Sequence, residues 1–204
     1  GMGTKEEDFV ESLFVASTHD YLLFFTNKGK CYWLKVYEVP QAGRTARGKS
    51  IVNVLCLSPD EETTAILPIR EFELDKYIVM ATKKGVLKKT QLSAYSRPRS
   101  SGIIALNLDD GDELVSVGQT NGSQEIFIST QSGKAIRFPE EKARPIGRTG
   151  RGVRGISLTE GDNVVGMEVV SSGEIILTVT VKGFGKRGRI DDYRVTNRGG
   201  KGVI

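Results

Sequence analysis

Four segments of this chain end an apolar run with Thr-x-x-Gly, and they do so at nearly regular intervals. They are Tyr21-Leu-Leu-Phe-Phe-Thr-Asn-Lys-Gly29, Tyr77-Ile-Val-Met-Ala-Thr-Lys-Lys-Gly85, Glu125-Ile-Phe-Ile-Ser-Thr-Gln-Ser-Gly133 and Ile175-Ile-Leu-Thr-Val-Thr-Val-Lys-Gly183. The threonines stand at 26, 82, 130 and 180, giving intervals of 56, 48 and 50 residues. A strand-forming run, two turn residues and a glycine free to take positive φ make a hairpin. A hairpin recurring at a period near 50 predicts a propeller or a similar repeat array. The 24 glycines against 6 prolines suit many short strands joined by tight turns.

Each repeat continues in the same order. A second strand follows the glycine, as in Lys30–Leu34, Val86–Thr90 and Lys134–Phe138. After a longer connection the pattern predicts a third strand at Ile51–Leu57, Ile103–Leu108 and Ile156–Leu158. A fourth is expected at Leu114–Val117 and Val164–Val170, beyond the polar turns Asp109–Asp112 and Glu160–Asp162. Four strands in about 50 residues make one propeller blade. The expected class is therefore all-β, a propeller with three full repeats and most of a fourth, its last third strand starting near Val203–Ile204. No stretch sustains a helical apolar period. A blade buries its faces only against neighbours, which marks the chain as part of a larger array.

The connection between second and third strands carries the chemistry. Its copies contain Gln41-Ala-Gly-Arg-Thr-Ala-Arg-Gly-Lys49, Tyr95-Ser-Arg-Pro-Arg-Ser-Ser-Gly102, Gly147-Arg-Thr-Gly-Arg-Gly-Val-Arg154 and Thr196-Asn-Arg-Gly-Gly-Lys-Gly202. All combine Arg or Lys with Gly, Ser or Thr and contain no acid. Glycine admits close approach, and its N–H can join Arg and Lys on phosphate oxygens. At equivalent positions of a repeat these charges form a belt suited to a nucleic-acid backbone. The net charge of +4 alone would not suggest it. The acid-free run from 83 to 99, with Lys83, Lys84, Lys88, Lys89, Arg97 and Arg99, strengthens the reading. Phosphate contacts are expected from Arg44, Arg47, Lys49, Arg148, Arg151, Arg154, Arg198 and Lys201, with Lys83, Lys84, Arg97, Arg99, Lys182, Lys186 and Arg187 as further candidates. Aromatic residues are scarce in these loops, Tyr95 being the main one, so duplex is expected over single strands. Trp33 is expected to pack within its blade.

Other chemistry finds little support. The two cysteines, Cys31 and Cys56, lie in apolar, strand-like sequence and read as buried free thiols of a reducing cytoplasm. The one histidine, His19, precedes β-rich sequence and reads as a turn residue. Gly183-Phe-Gly-Lys-Arg-Gly188 fits Gly-x-Gly-x-x-Gly, but it falls in a hairpin with no helix after it. No catalytic residue, metal site or cofactor is expected. The apolar runs are too short to span a bilayer, and no leader pattern opens the chain. A protein-interaction propeller is the rival class; it would show apolar or mixed-charge loop tips.

The segment Thr4-Lys-Glu-Glu-Asp-Phe-Val-Glu11, the run Tyr21–Lys30 and Gly43-Arg-Thr-Ala-Arg-Gly-Lys49 together resemble the C-terminal domain of the DNA gyrase A protein. The resemblance covers nearly all of the chain after Gly1–Gly3, which read as a tag remnant, so residues 4–204 are one domain. It implies a β-pinwheel, a propeller whose blades exchange a strand with a neighbour, with about four blades present of an expected six. It also implies wrapping of duplex DNA around a basic perimeter in support of negative supercoiling. The implied partners are double-stranded DNA, the remainder of the gyrase A protein and its gyrase B companion. The implied parent is an ATP-dependent type II topoisomerase whose catalytic segments are absent here. The corresponding protein of topoisomerase IV is the near relative and the alternative. The family's box of Gln, a basic residue, Arg-Gly-Gly, a basic residue and Gly lies before the first blade, where this chain does not reach. Residues 196–202 echo its last five positions in the fourth repeat.

Overall fold

The computed structural model describes residues 13–43 and 45–204, so Gly1–Gly3, the segment Thr4–Glu11 and Arg44 lie outside the described residues. The chain forms small antiparallel sheets, one per repeat. The first repeat supplies β1 (Tyr21–Thr26), β2 (Lys30–Lys35) and β3 (Thr63–Ile69). The second supplies β4 (Tyr77–Thr82), β5 (Val86–Gln91), β6 (Ile103–Ile104) and β7 (Leu114–Thr120). The third supplies β8 (Glu125–Thr130), β9 (Ala135–Pro139), β10 (Val153–Arg154) and β11 (Val164–Val170). The fourth supplies β12 (Ile175–Val179) and β13 (Gly185–Arg189).

The Thr-x-x-Gly hairpins form as expected. Gly29, Gly85, Gly133 and Gly183 take φ of 72°, 86°, 83° and 81°, and each donates its N–H to the carbonyl of the threonine three residues back. Side chains at the start of the next long strand fasten the tips. The Asp112 carboxylate accepts from the Lys84 N–H at 2.9 Å, and Asp162 accepts from the Ser132 N–H at 2.9 Å. The first repeat uses Glu61 instead, which accepts from the Thr26 and Tyr32 hydroxyls at 2.8 and 3.0 Å.

A sheet is not built from one repeat alone. The strand orders are β3-β1-β2-β6 and β7-β4-β5-β10, so β6 and β10 each join the sheet of the preceding repeat. The third sheet, β11-β8-β9, gains Val203 of the fourth repeat as a bridge to Ala135. Blades therefore exchange their outermost strand. These strands are shorter than the sequence suggested: only Ile103–Ile104 of 103–108 pairs, and Val153–Arg154 pairs in place of 156–158. Ile51–Leu57 forms no strand but a 3₁₀ turn at Ile51–Asn53 followed by coil. Among the described residues no sheet stands before the first, so this segment has no edge to join. Leu55 instead packs against Leu22, Phe24 and Tyr32, and Cys56 is exposed while Cys31 is buried. His19 sits in the turn closed by the Asp20 N–H on the Ser17 carbonyl.

At the opposite edge of the sheets β3, β7 and β11 stand side by side around the axis. The Thr64 hydroxyl donates to the Leu114 carbonyl at 3.2 Å, and the Ser116 hydroxyl to the Met167 carbonyl at 2.8 Å. The cores lie between blades and follow the two-residue period of the strands. Leu23 and Phe25 of β1 meet Ile78 and Met80 of β4, while Val79 and Ala81 on the other face of β4 meet Ile126 and Ile128 of β8. Phe127, on the other face of β8, packs with Ile190 and Tyr193 of the fourth repeat. Both faces of β4 and β8 are thus buried, which explains their unbroken apolar runs. The fourth sheet has two described strands, and Ile175, Leu177 and Val179 on its outer face are 61 to 64 % exposed.

Two buried cations reach towards the next blade. Lys89 of β5 meets Glu140 at 2.7 Å. Arg137, at the same place in β9, meets Glu125 at 2.6 Å and Asp191 at 3.2 Å and donates to the carbonyls of Ile190 and Tyr193. Trp33 occupies this place in β2 and packs edge-on against Tyr21, 4.9 Å between ring centres.

Candidate nucleic-acid interface

The basic connections of the second, third and fourth repeats run directly into the exchanged strands, the edge of each sheet farthest from the axis. Loop 96–102 precedes β6, loop 147–152 precedes β10, and loop 196–202 precedes the Val203 bridge. The strand exchange therefore carries these three acid-free loops to the perimeter and lays each across the joint with the preceding blade. Close backbone packing fixes that crossing. A Cβ on Gly152 would lie 2.4 Å from the Leu87 carbonyl oxygen, and one on Gly202 would lie 2.8 Å from that of Ala135. Glycine in these loops is thus required by the neighbouring strand as well as available to a partner.

The candidate residues divide into three groups. Arg97, Arg99 and Lys201 are exposed on the perimeter loops, Arg154 is exposed at the end of β10, and Arg47 and Lys49 are exposed on the first loop. Arg151 is also exposed, at 72 %, but its guanidinium meets the Asp109 carboxylate. Arg148 and Arg198 are only partly exposed and hold the preceding repeat's outer strand. Arg148 Nη1 donates to the Ile104 carbonyl at 2.5 Å. Arg198 Nη1 donates to the Arg154 carbonyl at 2.5 Å, and its Nε to the Lys142 carbonyl at 3.1 Å. The same arginine of two successive loops thus fastens one blade to the next.

The remaining candidates sit on hairpin tips and strands. Lys83 pairs with Glu113 at 3.1 Å, and Lys84 donates to the Asp110 carbonyl at 2.5 Å. Lys84 also lines a cleft of about 590 Å³ with Arg151, Arg154, Asp109 and Asp112, open at the joint between the second and third repeats. Lys182, Lys186 and Arg187 are exposed on the β12–β13 hairpin. Arg44 lies outside the described residues.

Two parts of the sequence reading change. Lys88 and Lys89 leave the basic surface: both are buried, Lys89 in its ion pair and Lys88 against backbone carbonyls. Tyr95 is fully buried with its ring 5.6 Å from that of Phe25, so it is no stacking platform. The reason is the same for both, since the strand and the turn that carry them pack face-on against a neighbouring blade. Gly183–Gly188 lies across the β12–β13 hairpin and opens no helix. Among the described residues no three His, Cys, Asp or Glu side chains cluster to hold a metal ion, and no helix is long and apolar enough to cross a membrane.

The sequence pattern described as DNA gyrase C-terminal domain, beta-propeller, matches residues 20–70, 76–121, 124–171 and 174–204, one match for each repeat. The chain belongs to this gyrase family. Against the DNA gyrase A protein of Salmonella typhimurium it is 50 % identical over 200 residues, covering 98 % of this chain and 23 % of that protein. Against the Staphylococcus aureus gyrase A protein it is 47 % identical over 206 residues, covering 100 % and 23 %. The chain thus spans about a quarter of the length of the curated relatives it matches. The crystal structure of the C-terminal domain of DNA topoisomerase IV superposes with a TM-score of 0.84 at 34 % identity, covering 92 % of this chain and 58 % of that one. The structure of a DNA gyrase A C-terminal domain gives 0.79 at 26 % identity, covering 92 % and 60 %. The pinwheel expectation holds, in both the strand exchange and the family.

Proposed function

We propose that this gyrase C-terminal domain binds duplex DNA through its phosphate backbone, without reading sequence, and wraps it along the perimeter that loops 41–49, 96–102, 147–154 and 196–202 occupy. The observation that carries this reading is the strand exchange. It brings the acid-free basic loops of the second, third and fourth repeats to the outer edge, with Arg97, Arg99, Arg151, Arg154 and Lys201 exposed there. Cations repeated along a rim can each neutralise a phosphate, and glycines between them let the duplex lie close. The loops offer no exposed aromatic ring for unstacked bases. In its parent the domain would act in the cytoplasm, joined to the rest of a gyrase A protein and working with gyrase B. Holding a wrapped segment there would bias an ATP-dependent strand passage towards negative supercoils.

The direct test is anisotropy of a labelled random-sequence duplex titrated with the chain across a salt series. Affinity should fall linearly in log–log form with a slope of about −0.9 per phosphate contacted, whatever the sequence. Salt-independent or absent binding at low ionic strength would favour a protein partner and end the DNA reading.

A further inference from the structure

The loop of the third repeat is fastened by more than its own arginine. Lys88 on β5 reaches under it, and its ammonium donates to the Ala105 carbonyl at 2.7 Å and to the Arg148 carbonyl. Asn107 donates its side-chain N–H to the Thr149 carbonyl at 2.5 Å. With the Arg148 bond to Ile104, three side chains pin residues 148–149 onto segment 104–107 of the preceding repeat.

Lys88 is the unusual member. It is fully buried, and no carboxylate pairs with it among the described residues. The buried cations one position further along do have carboxylate partners: Glu140 for Lys89, and Glu125 and Asp191 for Arg137. The groups around Lys88 are the Arg148 guanidinium from the loop, the Tyr95 hydroxyl from the 3₁₀ turn, which shares the Ala105 carbonyl at 3.4 Å, and the Cys31 thiol of the first blade near Tyr95. Burial, with the Arg148 charge adding to it, pushes Lys88 down to about 8. A buried ammonium met only by carbonyls is an expensive way to fill a core. The repeat shows that the fold does not need it, since Tyr32 and Ile136 occupy the equivalent places in β2 and β9 and are buried there. What the lysine adds is a hold on the Arg148 carbonyl, three residues before Arg151 and six before Arg154.

We propose that Lys88 is a positioning residue for the basic loop of the third repeat: it contacts no partner itself, but by gripping the Ala105 and Arg148 carbonyls it fixes the height and direction at which Arg151 and Arg154 are displayed. The proposal rests on the DNA reading for its purpose, though not for its geometry. The loop is held open as a rigid shelf, so ordering costs at binding are met in folding.

The test uses the whole chain with K88M, N107A, R151A/R154A and the combined K88M/R151A/R154A. N107A alters the exposed end of the same latch and spares the core. Duplex affinity should fall about fivefold in K88M and about twofold in N107A, with K88M costing little once Arg151 and Arg154 are gone. Equal losses from K88M in both backgrounds, or no loss, would overturn the proposal. Amide exchange gives a readout independent of DNA. K88M should speed exchange at Gly150 and Gly155 at least about tenfold while leaving β1 and β2 unchanged. Unaltered loop exchange sinks the latch even if DNA binds. Faster loop exchange in a chain that ignores DNA keeps the latch and removes the DNA reading.

Discussion

The first and third repeats carry almost the same words, Gly43-Arg-Thr-Ala-Arg-Gly48 and Gly147-Arg-Thr-Gly-Arg-Gly152, yet they fold differently. The described residues of the first loop lie exposed and lead into a 3₁₀ turn. The third loop is pinned by Lys88, Asn107 and Arg148 and leads into β10 on the neighbouring sheet. The motif therefore does not determine its own conformation; the edge of the preceding blade does. A loop of this kind is half of a joint, and its rigidity depends on what lies beneath it.

The sharpest way to break this comparison is one methyl group placed in each loop. At Gly152 a Cβ would drive into the Leu87 carbonyl and the Val86 side chain, whereas at Gly48 nothing lies within 4 Å. Gly152→Ala should cost about 3 kcal/mol, a drop in Tm of roughly 6 to 12 °C in a chain of this size. Gly48→Ala should change stability by no more than about 0.5 kcal/mol. Equal effects in thermal melts would mean that the two loops are held alike.

The next prediction follows the proton on Lys88. Its folded-state pKa lies near 8 against 10.5 for an ordinary lysine, because burial disfavours the ammonium and Arg148 repels it. Between these values the unfolded chain holds a proton that the folded chain has released, so unfolding takes one up and stability from this group rises with pH. Below 8 both states are charged and the contribution is flat. The stability of the native chain relative to K88M should therefore increase between pH 8 and 10, by about 2 kcal/mol. A difference in melting temperature that stays constant over that range would show that Lys88 is not desolvated.

How much of this could be read from the sequence depends on how local the cause is. The hairpins were legible because a glycine at positive φ is a demand of four consecutive residues. The exchanged strands were only half legible, since a two-residue strand such as Val153–Arg154 exists because β5 offers an edge. Residues 51–57 look equally strand-like and form none. The basic perimeter was legible as a repeated composition, but its division of labour was not. Arg148 and Arg151 are three residues apart in one loop, and only the neighbouring blade decides that one grips a carbonyl while the other is exposed. Lys88 and Lys89 looked like surface charge. The repeat held a signal against that: Tyr32 and Ile136, with Trp33 and Arg137 beside them, align with these two lysines and mark places where a strand faces a neighbouring blade.

On the DNA reading, the comparison can be sharpened at the exposed arginines Arg47 and Arg151. Each replaced by Ala should lower the salt slope by about 1, as for a single phosphate contact. Affinity should respond unequally. The pinned loop has already spent its ordering entropy in folding, so R151A should cost about fivefold and R47A only about twofold. Equal losses would mean that the first loop is as ordered as the third when DNA is bound.

The smallest effect concerns a carboxylate that, among the described residues, the third loop alone of the four meets. Asp109 pairs with Arg151 on a surface where the two side chains are 43 % and 72 % exposed. Such a pair contributes little to stability, but a phosphate approaching Arg151 must displace it or accept its repulsion. Asp109→Asn should leave the melting temperature within about 1 °C and raise duplex affinity about twofold at low salt. The gain should fade as ionic strength rises, because screening weakens both the pair and the repulsion. It should vanish in the R151A background, since the carboxylate then has no cation to withhold. A gain that survives R151A would place the effect of Asp109 on the general field of the perimeter, and the third loop would lose this distinction from the first.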